Sequence, residues 1–281
     1  MTQTTKPRAR ALGLPFTGRT GPFNAITDVD GIAVGFQTIR EETPRPGRKL
    51  PVRTGVTAIL PHSDSETPVP VYAGVHRFNG NGEMTGTHWI EDGGTFLGPV
   101  MITNTHGVGI THHATIRWML DRYPSTYDIG DFLWLMPVVA ETYDGALSDI
   151  NGMPVTEADA RAALDNLSRG PVCEGNCGGG TGMITYGFKG GTGTSSRVVP
   201  YGDKEYTIGT LVQANHGQRD WLTICGVPVG KHLQDNTPQS QLKERGSIIV
   251  VIATDLPMAP HQLKRLARRA AIGIGRNGTP G

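Results

Sequence analysis

Glu244-Arg245-Gly246-Ser247 runs directly into Ile248-Ile249-Val250-Val251-Ile252-Ala253-Thr254-Asp255. Polar and turn-type residues give way at once to a β-branched run, the composition of a buried strand. The first residue of that strand is a serine, and the residue before it is a glycine. Two readings are open. One is an ordinary turn entering a strand. The other is a peptide bond that the chain cuts for itself: the serine hydroxyl attacks the preceding carbonyl, and glycine puts no side chain in the way. After such a cut Ser247 carries a free α-amine beside its own hydroxyl, so nucleophile and base share one residue.

Working outward, Pro260 to Ala271 has helical spacing, with Leu263, Leu266, Ala267 and Ala270 as its apolar stripe. Upstream lie three strand-like stretches, Met183 to Phe188, Ser195 to Pro200 and Tyr206 to Gln213. The turns between them, Gly190-Gly191 and Gly202-Asp203, suggest an antiparallel meander. Glu157 to Ser168 reads as a helix capped by Thr156, with Asp159 three residues on, and Gly170 ends it. A further helix is expected over His112 to Tyr123. Strands are expected over Ala25 to Ile39 (with an Asp30-Gly31 turn), Gly55 to Leu60, Val69 to Phe78, Val100 to Asn104 and Phe132 to Val139, the last weakened by Pro137. Asn79-Gly80-Asn81-Gly82 is a strong turn signal, and residues 1–20 read as an irregular arm. No linker or internal repeat divides the chain. The expected class is a layered α+β single domain.

The 281 residues include 39 glycines and 20 prolines, which suits many short strands joined by tight turns. A net charge of +1 provides no field favouring nucleic acid or an anionic membrane. No apolar run is long enough to span a bilayer, and the basic N-terminus has no apolar core behind it, so neither a membrane segment nor a secretory signal is expected. Three cysteines are an odd count for a disulfide framework, and a reducing cytoplasm is the expected compartment.

Most motif-like features have a plain structural reading. Cys173 and Cys177 lack the second ligand pair that a structural zinc needs, and Cys225 is remote. His112-His113 are adjacent and point in different directions on a helix. Gly178-Gly179-Gly180-Thr181-Gly182 and Gly190-Gly191-Thr192-Gly193 are not a P-loop, because Lys189 precedes the glycines and strands follow. Lys264, Arg265, Arg268 and Arg269 form a solvated face without interleaved aromatics. Ser240-Gln241-Leu242-Lys243 matches Ser-x-x-Lys without its companion motifs. No Gly-x-Ser-x-Gly elbow occurs. Two segments stand out at strand ends: Glu141-Thr142-Tyr143-Asp144-Gly145 and Gln213-Ala214-Asn215-His216-Gly217. An amide or a phenol there can donate to a developing oxyanion, and the alternative is turn residues capping strands.

From about Pro7 to Gly281 the chain resembles the L-aminopeptidase/D-amidase/D-esterase enzymes of the DmpA type, within the β-aminopeptidyl peptidases. The resemblance is carried by Gly74-Val75-His76-Arg77-Phe78-Asn79-Gly80-Asn81-Gly82-Glu83, Thr87-His88-Trp89-Ile90-Glu91-Asp92-Gly93-Gly94, Glu141 to Gly145, Asn176-Cys177-Gly178-Gly179-Gly180-Thr181-Gly182 and Arg245-Gly246-Ser247. It implies a self-processing serine hydrolase in a four-layer α-β-β-α sandwich, like the N-terminal-nucleophile hydrolases but differently connected. It implies cleavage between Gly246 and Ser247 into fragments 1–246 and 247–281. By the same resemblance Ser247 matches the nucleophile, Asn215 an oxyanion-binding amide, Tyr143 a hydroxyl beside the nucleophile, and Glu141 a carboxylate that receives the substrate amine. Short peptides, amino-acid amides and esters are the implied substrates, with no metal or organic cofactor, in a homo-oligomer, a homotetramer. Family chains continue past Gly281, so the resemblance also implies a C-terminal part absent from this sequence. The rival readings are an acyltransferase like the ornithine acetyltransferases, which use a threonine, and an inactive truncated fragment.

Overall fold

The computed structural model describes residues 7–124, 132–235 and 246–280. The Ser240 to Lys243 match, Glu244-Arg245 and the first residues of the N-terminal arm lie outside them.

The first sheet begins as a hairpin, β1 (Ala33–Glu41) antiparallel to β2 (Val52–Leu60). After short strands β3 (Val71–Tyr72) and β4 (Thr95–Phe96), which flank helix α1 (Thr87–Gly93), the chain enters β5 (Val100–Asn104) beside β2. Helix α2 (Val108–Arg122) then crosses over to β6 (Val138–Thr142), which pairs with β5 in parallel. The order is β1-β2-β5-β6. The β5–β6 pair is parallel, and an intervening helix is what a parallel connection requires.

β2, β5 and β6 are apolar on both faces because both faces are covered. On one, Val56, Ala58, Leu60, Met101 and Val139 pack against Trp118 and Met119 of α2 and against Ala160 and Leu164 of helix α3 (Glu157–Asp165). Thr156 and Asp159 form the expected reciprocal cap of α3. Gly35 lets α3 lie close on β1, since a Cβ there would sit 2.0 Å from the Ala163 carbonyl oxygen. On the other face Ile59, Ile102 and Val138 meet Ile26 and Leu211, bringing in the second sheet.

That second sheet keeps the expected antiparallel pairing of the Ser195 to Pro200 and Tyr206 to Gln213 stretches, but its third strand is the one headed by Ser247, and Met183 to Phe188 stands apart as its own hairpin. β9 (Gly191–Tyr201), β10 (Lys204–Asn215) and β11 (Ser247–Thr254) pair antiparallel in the order β11-β10-β9. A small hairpin, β7 (Ile184–Thr185) and β8 (Phe188–Lys189), precedes them, and helix α4 (Val229–His232) follows β10. The register sets Leu211 opposite Val251, Gln213 opposite Ile249 and Asn215 opposite Ser247. Opposed residues share a face, so Ser247 stands in one row with Ile249 and Val251, both packed on the core between the sheets. Helices α5 (Pro260–Ala267) and α6 (Ala270–Arg276) close the chain. Leu263, Leu266, Ala267 and Ile274 line a cavity whose opposite wall is β11.

Several boundaries differ from expectation. Strand over Val69 to Phe78 shrinks to Val71–Tyr72, with Pro68 and Pro70 before it and Gly74 pressed on α5, where a Cβ would lie 2.2 Å from Lys264 N. The strand expected from Phe132 starts only at Val138, after Pro137, which has no N–H to donate; Phe132 and Trp134 are exposed. Met183 to Phe188 is split by Tyr186 and Gly187, both at positive φ (51° and 67°), the geometry of a tight hairpin turn. Ile26–Asp28 is a 3₁₀ turn ahead of β1, α3 ends at Asp165, and the last helix is interrupted at Arg268-Arg269. Cys173, Cys177 and Cys225 are all free thiols.

Candidate active site

Three strand ends converge between the sheets: the C-terminal ends of β6 and β10, and the first residue of β11. Because Asn215 and Ser247 are paired across β10 and β11, the Asn215 side-chain amide donates to Ser247 Oγ at 3.0 Å. The same Nδ2 donates to the Tyr143 carbonyl at 2.8 Å. Tyr143 in turn directs its backbone N–H at Ser247 Oγ, 3.2 Å away. Ser247 is nearly buried, at 9% exposure, yet it opens into the cavity beside β11.

The orientation of the Asn215 amide is set from behind. Its Oδ1 accepts from the Ile184 N–H at 2.8 Å, which leaves Nδ2 facing Ser247. Gln213, two residues earlier on the same face and fully buried, donates to Thr142 Oγ1 at 2.6 Å and so ties β10 to the end of β6.

The turn that presents Tyr143 is held by Asp144. Its carboxylate is fully buried and accepts from Asn104 Nδ2 at 3.1 Å, while Asn104 Oδ1 accepts from the Gly107 N–H at 2.8 Å. Burial pushes the Asp144 carboxyl up to about 6, against the lowering effect of its hydrogen bonds. The Asp144 carbonyl accepts from the N–H groups of Leu147 and Ser148.

Glu141 is a buried carboxylate, 6% exposed, that accepts from Thr105 Oγ1 at 2.5 Å and from the Glu83 N–H at 3.4 Å. Both partners are neutral donors, and among the described residues no cation pairs with it. A buried carboxylate without a counter-ion keeps only what its hydrogen bonds repay of its lost hydration. Glu141, Glu83, Gly246 and Ser247 all line the cavity, which holds about 880 Å³. Among the described residues no three His, Cys, Asp or Glu side chains gather as a metal site.

The structure therefore brings together Ser247, Asn215, Tyr143 and Glu141. For Tyr143 the group facing Ser247 is the backbone N–H, whereas the sequence expectation named its hydroxyl. The half-exposed ring turns over Gly145, where a Cβ would lie 2.4 Å from Oη, because the chain bends outward after β6 ends at Thr142.

Peptidase family S58 matches residues 24–281. The chain belongs to peptidase family S58. Among solved structures, the L-aminopeptidase D-Ala-esterase/amidase of Ochrobactrum anthropi superposes with a TM-score of 0.94 at 80% identity, covering 98% of this chain and 75% of that one. That enzyme is described as a prototype of the serine aminopeptidases with a new variant of the Ntn hydrolase fold. A Burkholderia sp. β-aminopeptidase superposes with a TM-score of 0.85 at 44% identity, over 97% of this chain and 73% of that one. The β-peptidyl aminopeptidase BapA of Sphingosinicella microcystinivorans is 51% identical over 98% of this chain and 71% of its own length. This S58 member is thus a hydrolase with the layered Ntn-type α+β fold, and the resemblance seen in the sequence is upheld.

Sequence reasoning passed over the supporting groups: the Tyr143 and Ile184 N–H donors, Thr105 on Glu141, and the Asn104–Asp144 pair. A backbone N–H carries no sequence signal. In the sequence Asp144 is one polar residue of a turn segment, and its burial at a strand end is visible only in three dimensions.

Proposed function

We propose that the chain is a self-processing serine aminopeptidase in which Ser247 Oγ is the nucleophile. The observation that carries this is the convergence of two independent N–H donors, from Asn215 and Tyr143, on one serine hydroxyl at a strand head. Cleavage of the Gly246–Ser247 bond yields fragments 1–246 and 247–281 and frees the Ser247 α-amine. That amine takes the hydroxyl proton as Oγ adds to the substrate carbonyl. The carbonyl oxygen gains the charge, and the donors now holding Oγ pass to it, in the manner of an oxyanion hole. The proton then goes to the departing amine or alcohol, and water releases the acyl group from Oγ.

Glu141 fixes the substrate's free ammonium at the cavity wall, which selects the N-terminal residue of a short peptide, an amino-acid amide or an ester. The relatives named above act as aminopeptidases, amidases or esterases, and this favours hydrolysis over the acyltransferase reading. The aminopeptidase assembles as a homo-oligomer in the cytoplasm, an assignment supported by family membership and composition.

The test is Ser247→Ala, with intact mass and hydrolysis of an amino-acid p-nitroanilide measured together. The wild-type chain is expected as two fragments and active, the variant as one uncut, inactive chain. A variant that still hydrolyses the anilide removes Ser247 from the role of nucleophile.

A further inference from the structure

Lys189 has no place in the reaction as described, yet its ammonium group is held in an unusual way. The residue is exposed, yet Nζ donates to the carbonyls of Met183 and Gly190, each at 2.9 Å, with Gly180 O at 3.5 Å. Among the described residues it has no carboxylate partner. The charged groups bearing on it are Arg40 of β1 and Arg53 of β2, both repulsive. An ammonium kept among carbonyl dipoles, against two like charges, has adopted a position that solvation alone would not select.

The Met183 carbonyl that it contacts belongs to the peptide whose N–H is that of Ile184. That carbonyl also accepts from the Gly190 N–H at 2.8 Å. On its other side, the Ile184 N–H donates to Asn215 Oδ1 at 2.8 Å, and Asn215 Nδ2 donates to Ser247 Oγ at 3.0 Å. The four groups form one unbroken chain from the ammonium to the serine: ammonium to carbonyl, amide N–H to side-chain carbonyl, side-chain N–H to hydroxyl.

We propose that Lys189 is a positioning residue that orients and polarises the Asn215 amide through the Met183–Ile184 peptide, strengthening the donor aimed at the oxyanion. Each link pulls electron density the same way. A cation at the Met183 oxygen makes the Ile184 N–H a better donor, and that bond at Oδ1 makes Asn215 Nδ2 a better donor in turn. The same bond at Oδ1 prevents the amide from flipping its carbonyl toward Ser247. The inference rests on the reading of Asn215 as the oxyanion-binding amide. Its geometry also gives it a pH signature: desolvation first, then Arg40 and Arg53, lower the Lys189 ammonium to about 8, so the polarising charge is present below that pH and lost above it.

Lys189→Met, Lys189→Arg and Asn215→Ala are compared with the wild type, on an amino-acid p-nitroanilide, between about pH 6 and 10. The values of kcat and KM are taken separately, per self-cleaved chain by intact mass. Weakening a donor costs less than removing it, so Lys189→Met is expected to lower kcat about tenfold with KM within about twofold. It should also lose the alkaline limb near pH 8. Lys189→Arg keeps the charge and is expected to restore kcat to within about threefold and to move that limb upward. If Lys189→Met retains wild-type kcat and limb while Asn215→Ala loses turnover, the relay is overturned and the reading of Asn215 survives. If Asn215→Ala retains wild-type turnover, the reading of Asn215 itself fails. Should Lys189→Met not fold, the limb in Lys189→Arg decides: a limb that stays near pH 8 overturns the proposal.

Discussion

The side-chain amide of Asn215 reaches Ser247 Oγ at 3.0 Å because the two residues are direct partners across antiparallel strands β10 and β11. Side chains of opposed residues emerge on the same face of a sheet a few ångströms apart. The distance between donor and hydroxyl is therefore a property of strand register. A one-residue slip would send one of the two to the opposite face.

Asn215→Ala removes one of the two N–H donors on Ser247 and leaves the Tyr143 carbonyl without its partner at 2.8 Å. Loss of one such donor typically lowers turnover by about 10²–10³. The expected result is a fall of that order in kcat with a much smaller change in KM, measured by steady-state hydrolysis of an amino-acid amide. A change confined to KM would mean that the amide contacts the ground state only.

Glu141→Gln keeps the hydrogen bond from Thr105 and removes the charge. A substrate with a free N-terminal ammonium should then lose about 10- to 100-fold in kcat/KM, the worth of a charge-assisted contact. An N-acetylated analogue, which lacks the ammonium, should be nearly indifferent to the substitution. Equal losses on both substrates would place Glu141 in a purely structural role.

The pH dependence of stability should contain two opposed contributions. Asp144 is raised from 3.8 to about 6, so its contribution is full below its unfolded value and lost as pH rises through 6. His216 is buried, with its ring against Tyr186 and no hydrogen-bond partner for either nitrogen among the described residues. Burial lowers it from 6.5 to about 4, so its contribution is full above its unfolded value and lost as pH falls through 4. Each is on the order of 3 kcal/mol at its limit, and between about pH 4 and 6 they nearly cancel. Melting temperatures across that range should fall more steeply on acidification in Asp144→Asn than in the wild type, and should rise on acidification in His216→Phe. Parallel curves for all three proteins would show that neither group is linked to folding.

The sequence by itself determined the local structure wherever one signal dominated. The β-branched run from Ser247 became β11, the apolar spacing of Leu263, Leu266 and Ala267 became α5, and Thr156 with Asp159 formed the α3 cap. It also placed Ser247 at the head of a strand, and Glu141 and Asn215 at the ends of others. Where local signals competed, tertiary contacts prevailed, as in the segment around Gly74 that α5 holds out of a strand. The tertiary structure alone decided which atoms meet. Tyr143 lies 104 residues from Ser247 and meets it through a backbone N–H, a group that every residue but proline possesses. Asn215 points its nitrogen and not its oxygen at Ser247 because the Ile184 N–H, 31 residues away, occupies the oxygen. Both facts depend on strand register and sheet packing, which fix directions in space that residue types along a chain do not encode.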